Sequence, residues 1–176
     1  MRYRRAFVPG GTFFFTVNLA DRSQRLLTEH VDVLRFAFRR VKKRHPFEIS
    51  AMVVLPEHLH AIWVLPEGDA DFSLRWRQIK GTFSRLLPEQ DWVSQSKRDR
   101  RERTIWQRRF WEHQIRDERD FAQHVDYVHI NPVKHGHVRR AADWPHSSIH
   151  KYIRAGVMSA DWACDPGEGT FGERLM

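Results

Sequence analysis

The sequence is poor in cysteine and has no long run of apolar residues. Its one cysteine, Cys164, cannot form a disulfide within the chain and is too few for a zinc site built from thiolates. A disulfide framework is therefore excluded, and a reducing cytoplasm is the expected compartment. The apolar segments are short, such as residues 51–55, whereas a membrane-spanning helix needs about 20 apolar residues. No apolar stretch follows the basic start of the chain, so no secretory signal is predicted.

Acidic residues are the minority among the charged side chains. The 176 residues include 30 Lys and Arg against 22 Asp and Glu, a formal net charge of +8. Arginine pairs with phosphate oxygens through two N–H groups, and the seven tryptophans offer rings that stack on bases. A nucleic-acid partner is favoured over an acidic protein, although the same charges could simply solvate a basic surface. With 41% hydrophobic residues, the chain is expected to fold as one domain of ordinary size.

Hydrophobic periodicity predicts strands and helices in a definite order. Strands are predicted over residues 12–20, 47–55, 58–65 and 105–115. A first helix is predicted over 28–44, and a second begins at Asp71 or Ser73 and runs to about Leu87. A third is predicted from 117 to His129 or Asn131, and Pro132 is expected to stop it. The order β-α-β-β-α-β followed by a helix predicts an α+β, ferredoxin-like fold, with one antiparallel sheet and helices packed on one face.

The main domain and the C-terminal arm are expected to differ in flexibility. Residues 1–140 are predicted to form the main domain, and residues 141–176 a partly flexible C-terminal arm with a short helix near 147–154. The charged segment 94–103 is predicted to be an exposed loop, and the glycine-rich end 165–176 to be loose.

Two histidines separated by one residue lie on the third predicted strand. His58 and His60 should project from the same face while Leu59 points into the core, and two adjacent imidazoles can hold a divalent metal. Only about 0.7 His-x-His pairs are expected by chance, so the pattern alone is weak evidence. The second pair, His135 and His137, flanks a glycine beyond a helix end and is predicted to lie in a loop. The alternative is two partly buried histidines bonded to backbone.

The last predicted helix of the domain carries a tyrosine and an asparagine one turn apart. Tyr127 and Asn131 should share a face, and His124, three residues before the tyrosine, is a candidate for the same face. The alternative is an ordinary half-buried tyrosine near a helix end. Together with the histidines, these groups suit phosphodiester chemistry, because a metal neutralises the phosphate charge and a tyrosine can attack phosphorus.

These segments resemble the HUH single-tyrosine transposases, and specifically the REP-associated tyrosine transposases of bacteria. The His58-Leu59-His60 segment is similar to the HUH pair, and the segment 127–134 is similar to the family's nucleophile motif. Residues 106–113 and 144–148 add further similar stretches, and the resemblance covers about residues 3–155.

The resemblance implies an activity, a metal and a set of site residues. Tyr127 would be the nucleophile, and His58, His60 and Asn131 would bind Mg²⁺ or Mn²⁺. The substrate would be single-stranded DNA carrying palindromic hairpins, cleaved through a 5′-phosphotyrosine intermediate with a free 3′-OH. The protein would act as a monomer or homodimer at the bacterial nucleoid. Candidate DNA-binding residues are Arg2, Arg4, Arg5, Arg75, Arg77, Lys80, Arg108 and Arg109.

Two other functions fit the charge and the predicted fold. One is a non-catalytic binder of structured single-stranded DNA, which would need neither the histidines nor the tyrosine. The other is a ferredoxin-like RNA-binding module, which usually carries stacking aromatics on its two central strands. Phe13 and Phe15 give a weak version of that pattern, with no matching motif on the third strand.

Overall fold

The computed structural model describes residues 8–88 and 105–163, and these build one four-stranded antiparallel sheet. The strands are β1 (Thr12–Asn18), β2 (Glu48–Val54), β3 (His58–Val64) and β4 (Trp111–Gln114), and their order in the sheet is β2-β3-β1-β4. The described helices are α1 (Leu26–Glu29), α2 (Val31–Arg44), α3 (Phe72–Leu86), α4 (Glu118–Lys134) and α5 (Ile149–Arg154), with a 3₁₀ turn at Ala141–Asp143. This order of elements confirms the predicted ferredoxin-like arrangement, with two β-α-β units interleaved in one sheet.

One face of the sheet forms the main hydrophobic core under α2 and α3. Phe13, Phe15 and Trp63 are completely buried there, because alternate residues of β1 and β3 point to this face. The rings of Trp63 and Trp76 stack at 4.2 Å between centroids with an interplanar angle of 17°. Such aromatic packing fixes the two central strands rigidly against the helices.

The opposite face of the sheet is covered by α4. Phe14 and Ile62 point to this side and pack against Val125 and Val128 of the helix. Helices therefore lie on both faces, with the ferredoxin-like pair on one and the additional helix on the other. The histidines of β3 share the α4 side with Phe14, so the functional residues lie between the sheet and this helix.

Two predicted boundaries are wrong, and both concern backbone hydrogen bonding. The fourth strand was predicted over 105–115 but covers only Trp111–Gln114, since the exposed residues 107–109 interrupt the apolar alternation and Trp106 makes a single bridge to Leu19. The helix α4 does not stop at Pro132. A proline removes only its own N–H bond, and the last turn closes through His135 N donating to Asn131 O at 3.0 Å.

Helix α2 and helix α3 follow the predictions closely. The predicted helix over 28–44 is divided at His30, whose ψ of 37° interrupts the helical path between α1 and α2. The start of α3 is capped by Asp71, whose Oδ1 accepts from Leu74 N at 2.8 Å. None of the described helices is long and apolar enough to cross a bilayer.

Part of the C-terminal arm is packed against the edge of the sheet. Val54 N donates to His146 O at 2.8 Å, and Ser148 N donates to Met52 O at 2.8 Å. The Trp144 indole N–H adds a bond of 2.9 Å to Val54 O. These bonds cover the free side of β2, which would otherwise expose unpaired backbone groups.

Several predictions lie outside the described residues: the loop 94–103, the tail 165–176, Cys164, Arg2, Arg4 and Arg5.

Arg75 has a structural position, and its assignment as a DNA-binding residue is corrected. The side chain is 1% exposed, and its guanidinium donates to both carboxylate oxygens of Asp69 at 3.1 and 2.6 Å. Further bonds reach the carbonyl oxygens of His45, Pro46 and Asp71. The guanidinium thus joins the end of α2 to the start of α3 and has no face open to a phosphate.

Replacing Arg75 should destabilise the fold. Arg75→Ala would leave several buried acceptors without a donor, and we expect the free energy of unfolding to fall by about 3 kcal/mol. Arg77→Ala is the matched control, because Arg77 is exposed on the same helix and should cost less than about 0.5 kcal/mol. Urea unfolding of both variants measures the difference. Equal stabilities would contradict the structural assignment.

The α4 helix is tied to the arm through a buried histidine. His129 has no exposed surface, and its Nε2 lies 2.8 Å from Ser148 Oγ. Burial, with a smaller effect of the neighbouring His150, lowers the pKa of His129 to about 4 from its ordinary value of 6.5. The neutral imidazole is therefore the form that fits the folded state.

Stability should consequently depend on pH through His129. The unfolded chain binds a proton at this residue below about pH 6.5 whereas the folded chain does not until about pH 4. The contribution of neutral His129 to the free energy of unfolding is therefore complete above pH 6.5 and is lost as the pH falls toward 4. His129→Gln should flatten the slope of unfolding free energy against pH in this window, measured by urea titrations. An unchanged slope would contradict the assignment.

Candidate active site

His58 and His60 project together from β3 toward the α4 side of the sheet. Their rings lie 4.9 Å apart between centroids at 81°, and the side chains are 3% and 2% exposed. Leu59 points into the core on the other face, as the alternation predicts. The two imidazoles therefore form one buried pair on a central strand.

Each imidazole is oriented by a neighbour at Nδ1. His58 Nδ1 lies 2.9 Å from a carboxylate oxygen of Glu57, and His60 Nδ1 lies 2.8 Å from the Thr16 hydroxyl, its partner across β1. Because the Glu57 carboxylate accepts, His58 Nδ1 carries the proton and Nε2 keeps its lone pair. Engagement of Nδ1 by a second residue is the arrangement that holds metal-binding histidines in place.

Tyr127 lies directly beside the histidine pair. Its ring centroid is 5.1 Å from that of His60 at 73°, and Phe14 contacts both rings at 5.7 and 5.5 Å. The helix α4 packs on this face of the sheet, so the Tyr127 and His60 rings lie side by side. This is the juxtaposition that a tyrosine nucleophile acting beside a bound metal requires.

Asn131 supplies a third polar group one turn after Tyr127. The side chain is completely buried, and its Nδ2 donates to the carbonyl oxygen of Tyr127 at 3.2 Å. The Asn131 side chain lies close enough to His60 to raise the pKa of that ring, although neither the buried Oδ1 of Asn131 nor Nε2 of His60 makes a hydrogen bond of standard geometry among the described residues. Buried polar atoms without a partner are costly unless a ligand satisfies them. Two imidazole nitrogens and an amide oxygen form a donor set that fits a divalent cation.

The protonation of the histidines also suits metal binding. Burial lowers the pKa of His60 well below its ordinary range, and the neighbouring His58 and His135 lower it further. Burial likewise lowers the pKa of His58, more than the Glu57 carboxylate raises it. Both rings are neutral near pH 7, which is the form that coordinates a cation.

Sequence reasoning missed four residues of this site. Glu57 and Thr16 orient the histidines, Lys134 Nζ lies 5.1 Å from the Tyr127 ring centroid, and the His135 ring lies 5.1 Å from that of His58. The position of Lys134, seven residues after Tyr127 on one helix, was a usable signal. His135 was assigned to a loop with no role, although it ends α4 against His58.

Two of the described basic candidates, Arg77 and Lys80, lie on α3, which packs on the sheet face opposite the histidines. Arg77 on α3 and the arginines 108 and 109 before β4 are exposed. Lys80 donates to Gln107 O at 2.8 Å and lies 5.7 Å from the Phe110 ring, so it joins α3 to the segment before β4. The arginines 108 and 109 instead lie at the β4 edge of the sheet, directly after Gln107, whose N donates to Asn18 O at 3.0 Å.

Known proteins resemble this chain over nearly its whole length. A REP-associated tyrosine transposase of Escherichia coli strain K12 is 49% identical over 174 residues, 99% of this chain and 98% of that protein. A Haemophilus influenzae protein with the same family name is 42% identical over 165 residues, 93% of this chain and 94% of its own. A solved REP-associated tyrosine transposase bound to a REP hairpin matches with a TM-score of 0.82 and 48% identity, covering 100% of this chain and 99% of that one. Comparison with family models gives no match.

Removing the hydroxyl of Thr16 should weaken metal binding without changing the three donor residues. Thr16→Val keeps the shape but frees the His60 ring, and we expect the Mn²⁺ affinity to fall about 10- to 100-fold. Thr12→Val on the same face of β1 is the control and should leave the affinity unchanged. Mn²⁺ titration followed by electron paramagnetic resonance measures both. Equal affinities in the two variants would remove Thr16 from the site.

Proposed function

The chain belongs to the REP-associated tyrosine transposases, and on this premise we propose that it cleaves and rejoins single-stranded DNA beside palindromic hairpins through Tyr127. The observation that carries the proposal is the contact of the Tyr127 ring with His60 at 5.1 Å. Of the candidate nucleophiles, this tyrosine alone stands beside the oriented histidine pair in the described parts of the chain.

The proposed reaction exchanges one phosphate ester for another. The Tyr127 oxygen attacks the phosphorus of a phosphodiester, the bond from phosphorus to the 3′ oxygen breaks, and that oxygen leaves as a 3′-OH after taking up a proton. The 5′ end stays on the tyrosine as a phosphotyrosine. A later attack by a 3′-OH reverses the exchange and rejoins DNA without an external energy source, because the ester bond was conserved.

His58, His60 and Asn131 would hold Mg²⁺ or Mn²⁺ at this site. When bound, the cation would neutralise phosphate charge and make phosphorus more electrophilic. The protein groups have separate tasks. Asn131 holds the backbone of Tyr127 through its amide. Lys134, 5.1 Å from the phenol ring, stabilises negative charge that develops as the tyrosine loses its proton.

The solved relative bound to a REP hairpin supports a hairpin substrate for this chain. A net charge of +8 provides the attraction for phosphates. Arg77, Arg108 and Arg109 are proposed DNA contacts because they are exposed. Lys80 donates to Gln107 O and so supports the segment that carries Arg108 and Arg109. Arg2, Arg4 and Arg5 remain DNA-binding proposals in the part of the chain that the structure does not describe.

We also propose a division of the chain, an oligomeric state and a location for the active protein. Residues 1–140 form the transposase domain, residues 141–176 form the arm, and the unit acts as a monomer or a homodimer at the chromosome in the cytoplasm. The contacts of residues 144–148 with the free side of β2 support an arm that is in part fixed on the domain.

The test of the nucleophile is the covalent adduct. Tyr127→Phe should abolish the protein–DNA adduct that forms with Mn²⁺ and hairpin oligonucleotides with single-stranded flanks, while hairpin binding changes less than about threefold. Tyr152→Phe is the matched control, since its hydroxyl donates to Ser50 O in the arm contact and lies outside the reaction. Adduct is measured by gel electrophoresis under denaturing conditions. An adduct in the Tyr127 variant would reject the assignment.

The rival function, a non-catalytic hairpin binder, gives a different pattern. It predicts binding that falls steeply with salt, as for the enzyme, but no adduct with any divalent cation in the unmodified protein. The positions of the buried His60 and Asn131 beside Tyr127 favour the enzyme, because a binder needs none of these three side chains.

A further inference from the structure

A second group of metal-ligating side chains lies where β4 turns into α4. His113 is on the edge strand, Asp120 is in the first turn of the helix, and His124 follows one turn later. The Asp117 side chain caps the helix by accepting from Asp120 N at 2.8 Å, which fixes the corner. None of these three ligating residues takes part in the proposed strand-transfer site.

The three side chains are already close to the spacing that an ion needs. His113 Nε2 lies 2.9 Å from Asp120 Oδ2, and His124 Nδ1 lies 3.0 Å from Asp120 Oδ1. One ligand atom from each residue lies within 4.8 Å of the others. Tetrahedral coordination with bonds of 2.0–2.1 Å separates neighbouring ligands by about 3.3 Å. The two contacts at 2.9 and 3.0 Å are within a few tenths of an ångström of that separation, whereas the ligand atoms as a set, which lie within 4.8 Å of one another, would draw closer around a cation.

The surroundings hold the ligands in place and leave a path from solvent. The His113 ring stacks on Trp111 at 5.9 Å and on His124 at 4.6 Å, with interplanar angles of 6° and 14°. The three side chains are 17–26% exposed, so an ion could reach them without opening the core.

We propose that His113, Asp120 and His124 form a second metal site, for a divalent transition ion of the Zn²⁺ class, at the start of the nucleophile helix. Two imidazoles and one carboxylate match the ligand set of three-residue zinc sites, in which water takes the fourth position. Imidazole ligands favour Zn²⁺ or Co²⁺ over Mg²⁺, which prefers oxygen.

The site would stabilise the nucleophile helix rather than contact DNA. His124 precedes Tyr127 by three residues, and the Phe14 ring touches both, at 4.8 Å from His124 and 5.7 Å from Tyr127. An ion bridging β4 and α4 would fix the first two turns of this helix against the sheet. The position of the phenol would thereby be coupled to the occupancy of a separate cation.

Hydrogen bonding alone is the competing explanation of the same cluster. Imidazole N–H groups can donate to the Asp120 carboxylate, and His124 Nδ1 also lies 2.8 Å from Asp120 O. Binding an ion would require His124 to give up that backbone contact. The two explanations differ in the number of Zn²⁺ ions bound.

Zn²⁺ stoichiometry in matched variants decides between them. Equilibrium dialysis of the full chain should give two bound Zn²⁺, with one remaining in His58→Ala/His60→Ala and one remaining in His113→Gln/His124→Gln. Glutamine can still hydrogen-bond to Asp120 but is a poor zinc ligand, so the corner stays folded. In the His58→Ala/His60→Ala variant, Zn²⁺ should raise the Tm and Co²⁺ should give visible absorption typical of tetrahedral coordination.

The controls separate loss of binding from loss of folding. Far-UV circular dichroism checks each variant, and His45→Gln, on the far side of the domain at the end of α2, should keep both ions. The second site would be overturned if the unmodified chain bound one Zn²⁺, if replacing His58 and His60 removed it, and if the His113→Gln/His124→Gln change left it in place. That result would leave the proposed strand-transfer site intact.

Discussion

The antiparallel register between β1 and β3 is the constraint on which the site depends. It places Thr16 opposite His60 and Asn18 opposite His58, so the hydroxyl that orients one imidazole comes from the neighbouring strand. A shift of one residue in this pairing would turn the histidines into the hydrophobic core. The aromatic packing of Phe13, Phe15 and Trp63 against the helices prevents such a shift, because these large rings fit only one face. Core packing and site geometry are thus two results of the same pairing.

The two faces of the sheet have different tasks. The face under α2 and α3 is almost wholly apolar, and it provides the rigidity that a preorganised site requires. The face under α4 combines apolar contacts with buried polar groups such as His60 and Asn131. Burying polar groups costs free energy, and the bonds of His60 to Thr16 and of Asn131 to Tyr127 O offset part of that cost. The proposed chemistry is therefore located on the more polar face, and the well-packed opposite face supports it.

Local periodicity explains which elements were predictable. The common face of His58 and His60 depends on residues close in sequence and was predicted correctly. The cap of α3 is equally local, and the structure selects Asp71 from the two predicted candidates, Asp71 and Ser73. The predictions that failed concern the end of α4 and a contact between elements. Pro132 was expected to end α4, but the helix continues because only one backbone bond is lost in its last turn. Arg75 was assigned to DNA as one of a set of basic residues, whereas its acceptors come from the end of α2 and the turn before α3.

The order of strands and helices, the shared face of His58 and His60 and the family resemblance follow from period, spacing and motif, which are properties of the chain. The position of α4 on the histidine face is a tertiary feature, as are the approach of Lys134 to Tyr127, the approach of His135 to His58 and the burial of Arg75. The tertiary structure also decided that His113 meets Asp120 and His124 at one corner. The physical reason is that side-chain direction along one element follows from local geometry, whereas contacts between elements depend on how their faces pack.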